Sequence, residues 1–215
     1  MKLFIVRHGE TDWNIQGRFQ GQIDIPLNSK GMNQAKMLAD RLKNINFSKI
    51  ITSPLERAQR TAFEIYSRNM TGDFLLDDRL IEINHGSWEG CYAGEIAERW
   101  PEMLSQWHSS PDIVTMPGKN GESLNDIKNR ITPFLNELYT IDKDINILIA
   151  SHDAIIKVLL CEFLNTSLSS FWRFQIANCS ISLVEKIPNH PPQILLLGDT
   201  YHLGNTFNRP IQKGL

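Results

Sequence analysis

Short, unbroken apolar runs punctuate this chain, and stretches of helical period separate most of them. Leu3–Val6, Lys49–Thr52, Ile145–Ala150, Ser180–Val184 and Ile194–Leu197 each hold four to six residues rich in aliphatic side chains. A strand that faces water on one side alternates apolar with polar residues, whereas a run without alternation suits a strand covered on both faces. Within Ser29–Lys43 the residues Met32, Ala35, Leu38, Ala39 and Leu42 recur at helical spacing. Leu124, Ile127, Ile131, Phe134 and Leu138 do the same within Glu122–Tyr139, where Pro133 should kink the helix. Asp153–Leu164 reads as a third, more apolar helix. The expected architecture is α/β: a three-layer sandwich, with a mostly parallel central sheet and helices on both faces, formed by residues 1–215 as a single domain.

Two regions fall outside this rhythm. Residues 77–121 are too long for a simple connection and hold Trp88, Trp100 and Trp107, three of the five tryptophans. They read either as a partly helical, lid-like insertion or as surface packing. The tail after Leu197, including residues 201–215, carries no clear pattern.

Composition removes several function classes. With 22 Lys+Arg against 24 Asp+Glu, the net charge of −2 offers no broad footprint for nucleic acid. Four apolar residues ahead of Arg7 are too few for a secretory core of roughly 7–15. No run approaches the about 18 that a membrane span needs, so a cytoplasmic protein is expected. Cys91, Cys161 and Cys179 are odd in number and lack CxxC spacing, which argues against disulfides or a zinc ribbon and for a reducing compartment. The six histidines form no HxxxH or HExxH pair, and neither GxxxxGK[ST] nor GxGxxG occurs. No metal and no cofactor are expected; a homo-oligomer stays open.

In open parallel sheets, ligands bind beyond the carboxyl ends of the strands. Leu3–Val6 is followed by Arg7-His8-Gly9-Glu10-Thr11, Lys49–Thr52 by Ser53-Pro54-Leu55-Glu56-Arg57, and Ile145–Ala150 by Ser151-His152-Asp153. Two arginines and two histidines thus converge on one edge. Ser53-Pro54-Leu55-Glu56 reads as a helix start with Ser53 as N-cap. Arg57 then sits on the first turn, where a cation opposes the helix dipole. An anion bound there, such as a phosphate, explains it better than folding does.

The first of these segments, continued by Trp13-Asn14 and Gly17-Arg18-Phe19-Gln20-Gly21, resembles the signature of the histidine phosphatase superfamily, the phosphoglycerate-mutase-like proteins. Pro26-Leu27 with Gly31, the 53–61 segment, Leu80 and Glu82, Trp88-Glu89-Gly90, Gly121-Glu122-Ser123 and Ser151-His152 follow in the family's order. The resemblance implies a metal-independent phosphomonoesterase acting on a small phosphorylated metabolite. In it, His8 is the nucleophile and forms a phosphohistidine that water hydrolyses. Arg7, Arg57 and His152 line the phosphoryl oxygens, Asn14 belongs to the phosphate pocket, and Gln20 and Gly21 join it. Glu82 is the general acid, which calls for a buried carboxyl of raised pKa. His8 must be neutral to attack, and in the family a main-chain carbonyl holds its other ring nitrogen. Chain length and the Trp88-Glu89-Gly90 region are similar to the family's small bacterial phosphatases, which makes α-ribazole 5′-phosphate one candidate substrate. A phosphoglycerate mutase and a non-catalytic phospholigand-binding regulator are the alternatives.

Three departures from the family pattern bear on specificity. Asp153 stands where the family usually has glycine, and a carboxylate pointing inward there would oppose a phosphate dianion. Ile83-Asn84-His85-Gly86 replaces an acidic-aromatic run, with His85 read either as a substrate contact or, in preference, as an exposed loop residue. Residues 117–123 carry two extra positions, and Ser123 with Asp126 has the spacing of a helix cap.

Overall fold

The computed structural model describes residues 1–70, 72–141 and 144–204. Among these, six strands form one sheet: β1 (Lys2–Arg7), β2 (Lys49–Thr52), β3 (Asp73–Leu76), β4 (Asn146–Ser151), β5 (Ile181–Glu185) and β6 (Gln193–Asp199). Their order is β3-β2-β4-β1-β5-β6, with β1 to β4 mutually parallel, β5 antiparallel to β1, and β6 antiparallel to β5. The helices are α1 (Asp12–Gln16), α2 (Ser29–Leu42), α3 (Glu56–Asn69), α4 (Ala93–Arg99), α5 (Pro101–Ser109), α6 (Leu124–Tyr139) and α7 (Asp153–Phe163).

The unbroken apolar runs have the expected cause. Leu3 and Ile5 of β1 enter one apolar cluster while Phe4 and Val6 enter another on the opposite face. In β4, Ile147 and Ile149 divide from Leu148 and Ala150 in the same way. α2 and α3 close one face with Ala35, Leu38, Ala62 and Ile65; α6 and α7 close the other with Ile127, Ile131, Ile155 and Leu159. Each large aliphatic side chain so buried contributes about 1.5–3 kcal/mol.

Residues 77–121 are partly helical, and Trp88 and Trp107 lie in the same cluster as Leu3 and Ile5. These two rings are core members, which corrects the surface-packing reading. α6 runs through Pro133 as one element, capped by Ser123 and Asp126 as their spacing suggested.

Two elements escaped the sequence pattern. β3 is an edge strand whose Leu75 and Leu76 stay exposed, so no buried run marks it. α1 is a five-residue helix held by a Thr11–Asn14 capping box and stopped by Gly17. A third correction concerns Ser53. α3 starts at Glu56 with Leu55 at its cap, because the Ser53 hydroxyl is taken by His152 at 2.7 Å and by the Leu55 N–H at 3.3 Å. Of the patternless tail, Tyr201–Leu203 forms a 3-10 turn and residues 205–215 lie outside the described residues. No described helix is long and apolar enough to cross a membrane.

Candidate active site

The site grows from the turn that ends β1. The His8 N–H donates to the Ser151 carbonyl at the end of β4, and the Cys179 N–H, ahead of β5, donates to the carbonyls of Arg7 and His8. The Arg7 Nη1 donates to the Ile176 carbonyl at 2.6 Å. Gly9 donates its N–H to Thr61 Oγ1 of α3 at 3.0 Å. A Cβ on Gly9 would lie 2.5 Å from the Gly31 carbonyl oxygen, so only glycine allows this approach to α2. Neighbouring strands and the layer formed by α2 and α3 therefore fix where His8 stands.

The predicted residues come together. Arg7, His8, Asn14, Gln20, Gly21, Arg57 and Glu82 line one pocket. The His152 ring lies 5.1 Å from that of His8, centroid to centroid. The His8 Nδ1 is 2.7 Å from the Gly9 carbonyl oxygen. A carbonyl only accepts, so Nδ1 carries the proton and Nε2 keeps its lone pair. Burial, then the charges of Arg57 and Arg7, hold the His8 pKa well below its usual value, so the ring is neutral at pH 7. His152 is lowered in the same way, chiefly by burial, and its Nδ1 has no hydrogen-bond partner among the described residues.

Arg57 is fully buried; its Nη2 donates to the Gly21 carbonyl at 2.6 Å and its Nη1 to the Ile23 carbonyl at 3.1 Å. Burial pulls its pKa to about 10, which leaves it charged at neutral pH. Glu82 is 8% exposed and accepts the Ile83 N–H at 2.9 Å. Burial pushes its carboxyl up to about 7, with Asp153 adding to the effect and Arg57 and Arg7 opposing it. Thr11 ties Asn14 to Gln20: the Asn14 Oδ1 accepts the Thr11 N–H, and the Thr11 hydroxyl donates to Gln20 Oε1. A neutral imidazole, fixed guanidinium groups and a half-protonated carboxyl thus share one small water-poor space. Such a set can bind a tetrahedral dianion and move a proton beside it.

Two expectations need correcting. His85 is buried, not exposed: it lines the pocket and stacks edge-on against Phe19, and burial pulls its pKa to about 4. The polar Asn84 and the Gly86 beside it hid the fact that Phe19 and Trp107, distant in sequence, pack against its ring. Asp153 does point inward, but Arg7 Nη1 lies 3.5 Å from Oδ1 and Lys157 Nζ 2.7 Å from Oδ2. Its charge is answered by protein cations, as a buried carboxylate requires. Lys157 was missed although the signal was present: an Asp–Lys pair at i,i+4 inside an otherwise apolar helix. Asn178, whose Nδ2 donates to the His8 carbonyl at 3.0 Å, left no comparable trace.

The buried histidines have a consequence for stability. His8, His85 and His152 are depressed in the fold from 6.5, while Glu82 is raised from 4.5 to about 7. Below pH 6.5 the unfolded chain takes up protons that the folded histidines refuse, so each contributes stability that is lost as pH falls. Glu82 acts in the opposite sense between pH 7 and 4.5, but it is one group against three. Thermal melts at pH 7.5, 6.0 and 5.0 are expected to show a falling Tm, and a Tm that rises toward pH 5 would contradict these ionisation states.

Comparison with known proteins agrees with this geometry. Residues 3–200 match the family model of the histidine phosphatase superfamily (branch 1). The chain is 36% identical over 208 residues to phosphoserine phosphatase 1 of Hydrogenobacter thermophilus, covering 96% of each protein. It is 35% identical over 188 residues to a probable phosphoglycerate mutase, GpmB, of Cronobacter sakazakii, covering 86% of this chain and 85% of that one. Among solved structures, the α-ribazole phosphatase from Shigella flexneri superposes with a TM-score of 0.82 at 27% identity, covering 92% of this chain and 96% of that one. The order of the motifs, the sheet that carries them and the pocket they line have one explanation: this chain belongs to the histidine phosphatase superfamily and is a phosphatase enzyme of that type.

Proposed function

We propose that the protein is a metal-independent phosphomonoesterase that hydrolyses a small phosphorylated metabolite through a phosphohistidine at His8. The observation that carries the reading is the His8 ring, neutral, with Nδ1–H held by the Gly9 carbonyl and Nε2 left with its lone pair. In the first step Nε2 attacks phosphorus and the bond to the ester oxygen breaks. Glu82, protonated, gives its proton to the departing alkoxide. The phosphorylated ring gains a positive charge, which the Gly9 carbonyl stabilises. Arg7, Arg57 and His152 hold the phosphoryl oxygens through the in-line transition state, with Asn14, Gln20 and Gly21 completing the pocket wall. In the second step the Glu82 carboxylate takes a proton from water, oxygen attacks phosphorus, the P–N bond breaks, and inorganic phosphate leaves neutral His8 behind. Arg57 Nε and His152 Nδ1, buried and without a hydrogen-bond partner among the described residues, support anion binding, since a phosphoryl oxygen would relieve a desolvation cost of about 1–3 kcal/mol each.

Substrate identity is the finer part of the proposal. The relatives named above make phosphoserine, α-ribazole 5′-phosphate and 3-phosphoglycerate the panel to assay. Phosphate release should exceed 3-phosphoglycerate isomerisation and persist in excess EDTA. Isomerisation outpacing hydrolysis would make the protein a mutase; activity lost in EDTA and restored by a divalent ion would end the metal-free mechanism. The regulator reading loses its one support, because the Asp153 charge is answered by Arg7 and Lys157. A reducing cytoplasm, which the three free cysteines suit, is the proposed setting.

A further inference from the structure

Glu89 has been given no role above, yet it grips the segment that holds Arg57. Its Oε1 accepts the N–H groups of Gln22 at 2.8 Å and His85 at 3.2 Å, and its Oε2 accepts that of Ile23 at 3.1 Å. The carbonyls of the same segment, Gly21 and Ile23, are the acceptors for both terminal nitrogens of Arg57. The peptide unit joining Gly21 to Gln22 therefore lies between two charges, its C=O on the guanidinium and its N–H on the carboxylate. Each charge polarises the peptide toward the other, which strengthens both bonds. The backbone is shaped for this contact. Gly21 has φ +50, and a Cβ there would sit 2.0 Å from Glu89 Oε1. The Gln22 Nε2 also donates to the Glu82 carbonyl at 3.0 Å, so the segment reaches the backbone of Glu82 as well.

We propose that Glu89 is a positioning residue which holds the Arg57 guanidinium in the phosphate pocket through the 21–23 backbone. The inference rests on the phosphatase reading of this pocket. Without the carboxylate, three N–H groups lose their acceptor, the segment relaxes, and the two carbonyls that aim Arg57 move with it. Its negative charge also helps keep Arg57 protonated.

A double-mutant cycle separates this role from general loop stapling. Glu89→Ala, Arg57→Ala and the double variant are compared for kcat/KM on p-nitrophenyl phosphate, and for binding of inorganic phosphate by calorimetry. With Arg57 present, loss of Glu89 should lower both kcat/KM and phosphate affinity by about 10- to 100-fold, the scale expected for misplacing a catalytic group by an ångström. In the Arg57→Ala background the same change should cost less than about 3-fold, because the group it positions is gone. Equal losses in both backgrounds, or no loss in either, would overturn the proposal. If Glu89→Ala does not fold, Glu89→Gln, which keeps one acceptor oxygen, enters the same cycle under the same criteria. Phosphate binding is read without turnover. A wild-type protein that binds phosphate but hydrolyses nothing would therefore count against the phosphatase reading while leaving the Glu89–Arg57 coupling measurable.

Discussion

Replacing His8 with alanine is expected to lower phosphomonoester hydrolysis by about 10⁴- to 10⁶-fold, the range seen when a nucleophile is removed and only binding and electrostatics remain. The ring cannot be replaced locally. The neighbouring His152 ring lies 5.1 Å away, and its Nε2 is engaged with the Ser53 hydroxyl at 2.7 Å rather than with a main-chain carbonyl as in His8. Brief mixing of wild type with radiolabelled substrate, followed by alkaline quench, should trap an acid-labile, base-stable adduct on His8, absent from His8→Ala. Because the side chain is buried among polar groups rather than in an apolar cluster, the variant should still fold, and circular dichroism checks this. Hydrolysis that survives the substitution would end the phosphohistidine mechanism.

Glu82→Gln should lower kcat for an alkyl phosphate by about 10²- to 10⁴-fold, the usual contribution of a general acid. The loss depends on the leaving group. p-Nitrophenolate departs without a proton, so this variant should release a burst of p-nitrophenol stoichiometric with enzyme and then turn over slowly, its phosphoenzyme lacking the base that activates water. The wild-type pH profile carries the same assignment. The carboxyl titrates near 7, and proton delivery requires its protonated form. kcat/KM for an alkyl phosphate should therefore fall as pH rises through about 7, and Glu82→Gln should abolish that limb. A Glu82→Gln enzyme with unaltered alkyl phosphate turnover would exclude Glu82 as the acid.

Much of this was legible before any coordinates, for reasons that differ between residues. Strands β1, β2 and β4 announced themselves because both their faces are buried, leaving no polar residue to interrupt the run. Arg7, His8, Arg57 and His152 stood out as polar residues placed where those runs stop. Glu82 was found through the resemblance, since a carboxylate between Ile81 and Ile83 has no local signature of its own. What stayed hidden was set by long-range contacts. His85 packs edge-on against Phe19 and Trp107, the Lys157 ammonium rests on Phe171 and Trp172, and Ser53 serves His152 across 99 positions of sequence. No window of neighbouring residues contains that information.

Strand β1 lies between β4 and β5, whose residues begin at 146 and 181. As the nascent chain leaves the ribosome, its first strand emerges with no neighbour to pair with, and it must wait until most of the polypeptide has been synthesised. Topologies dominated by such distant pairings fold slowly and expose their strands meanwhile. Any translation product that stops short of β5 would therefore be a client for chaperones rather than a weaker catalyst.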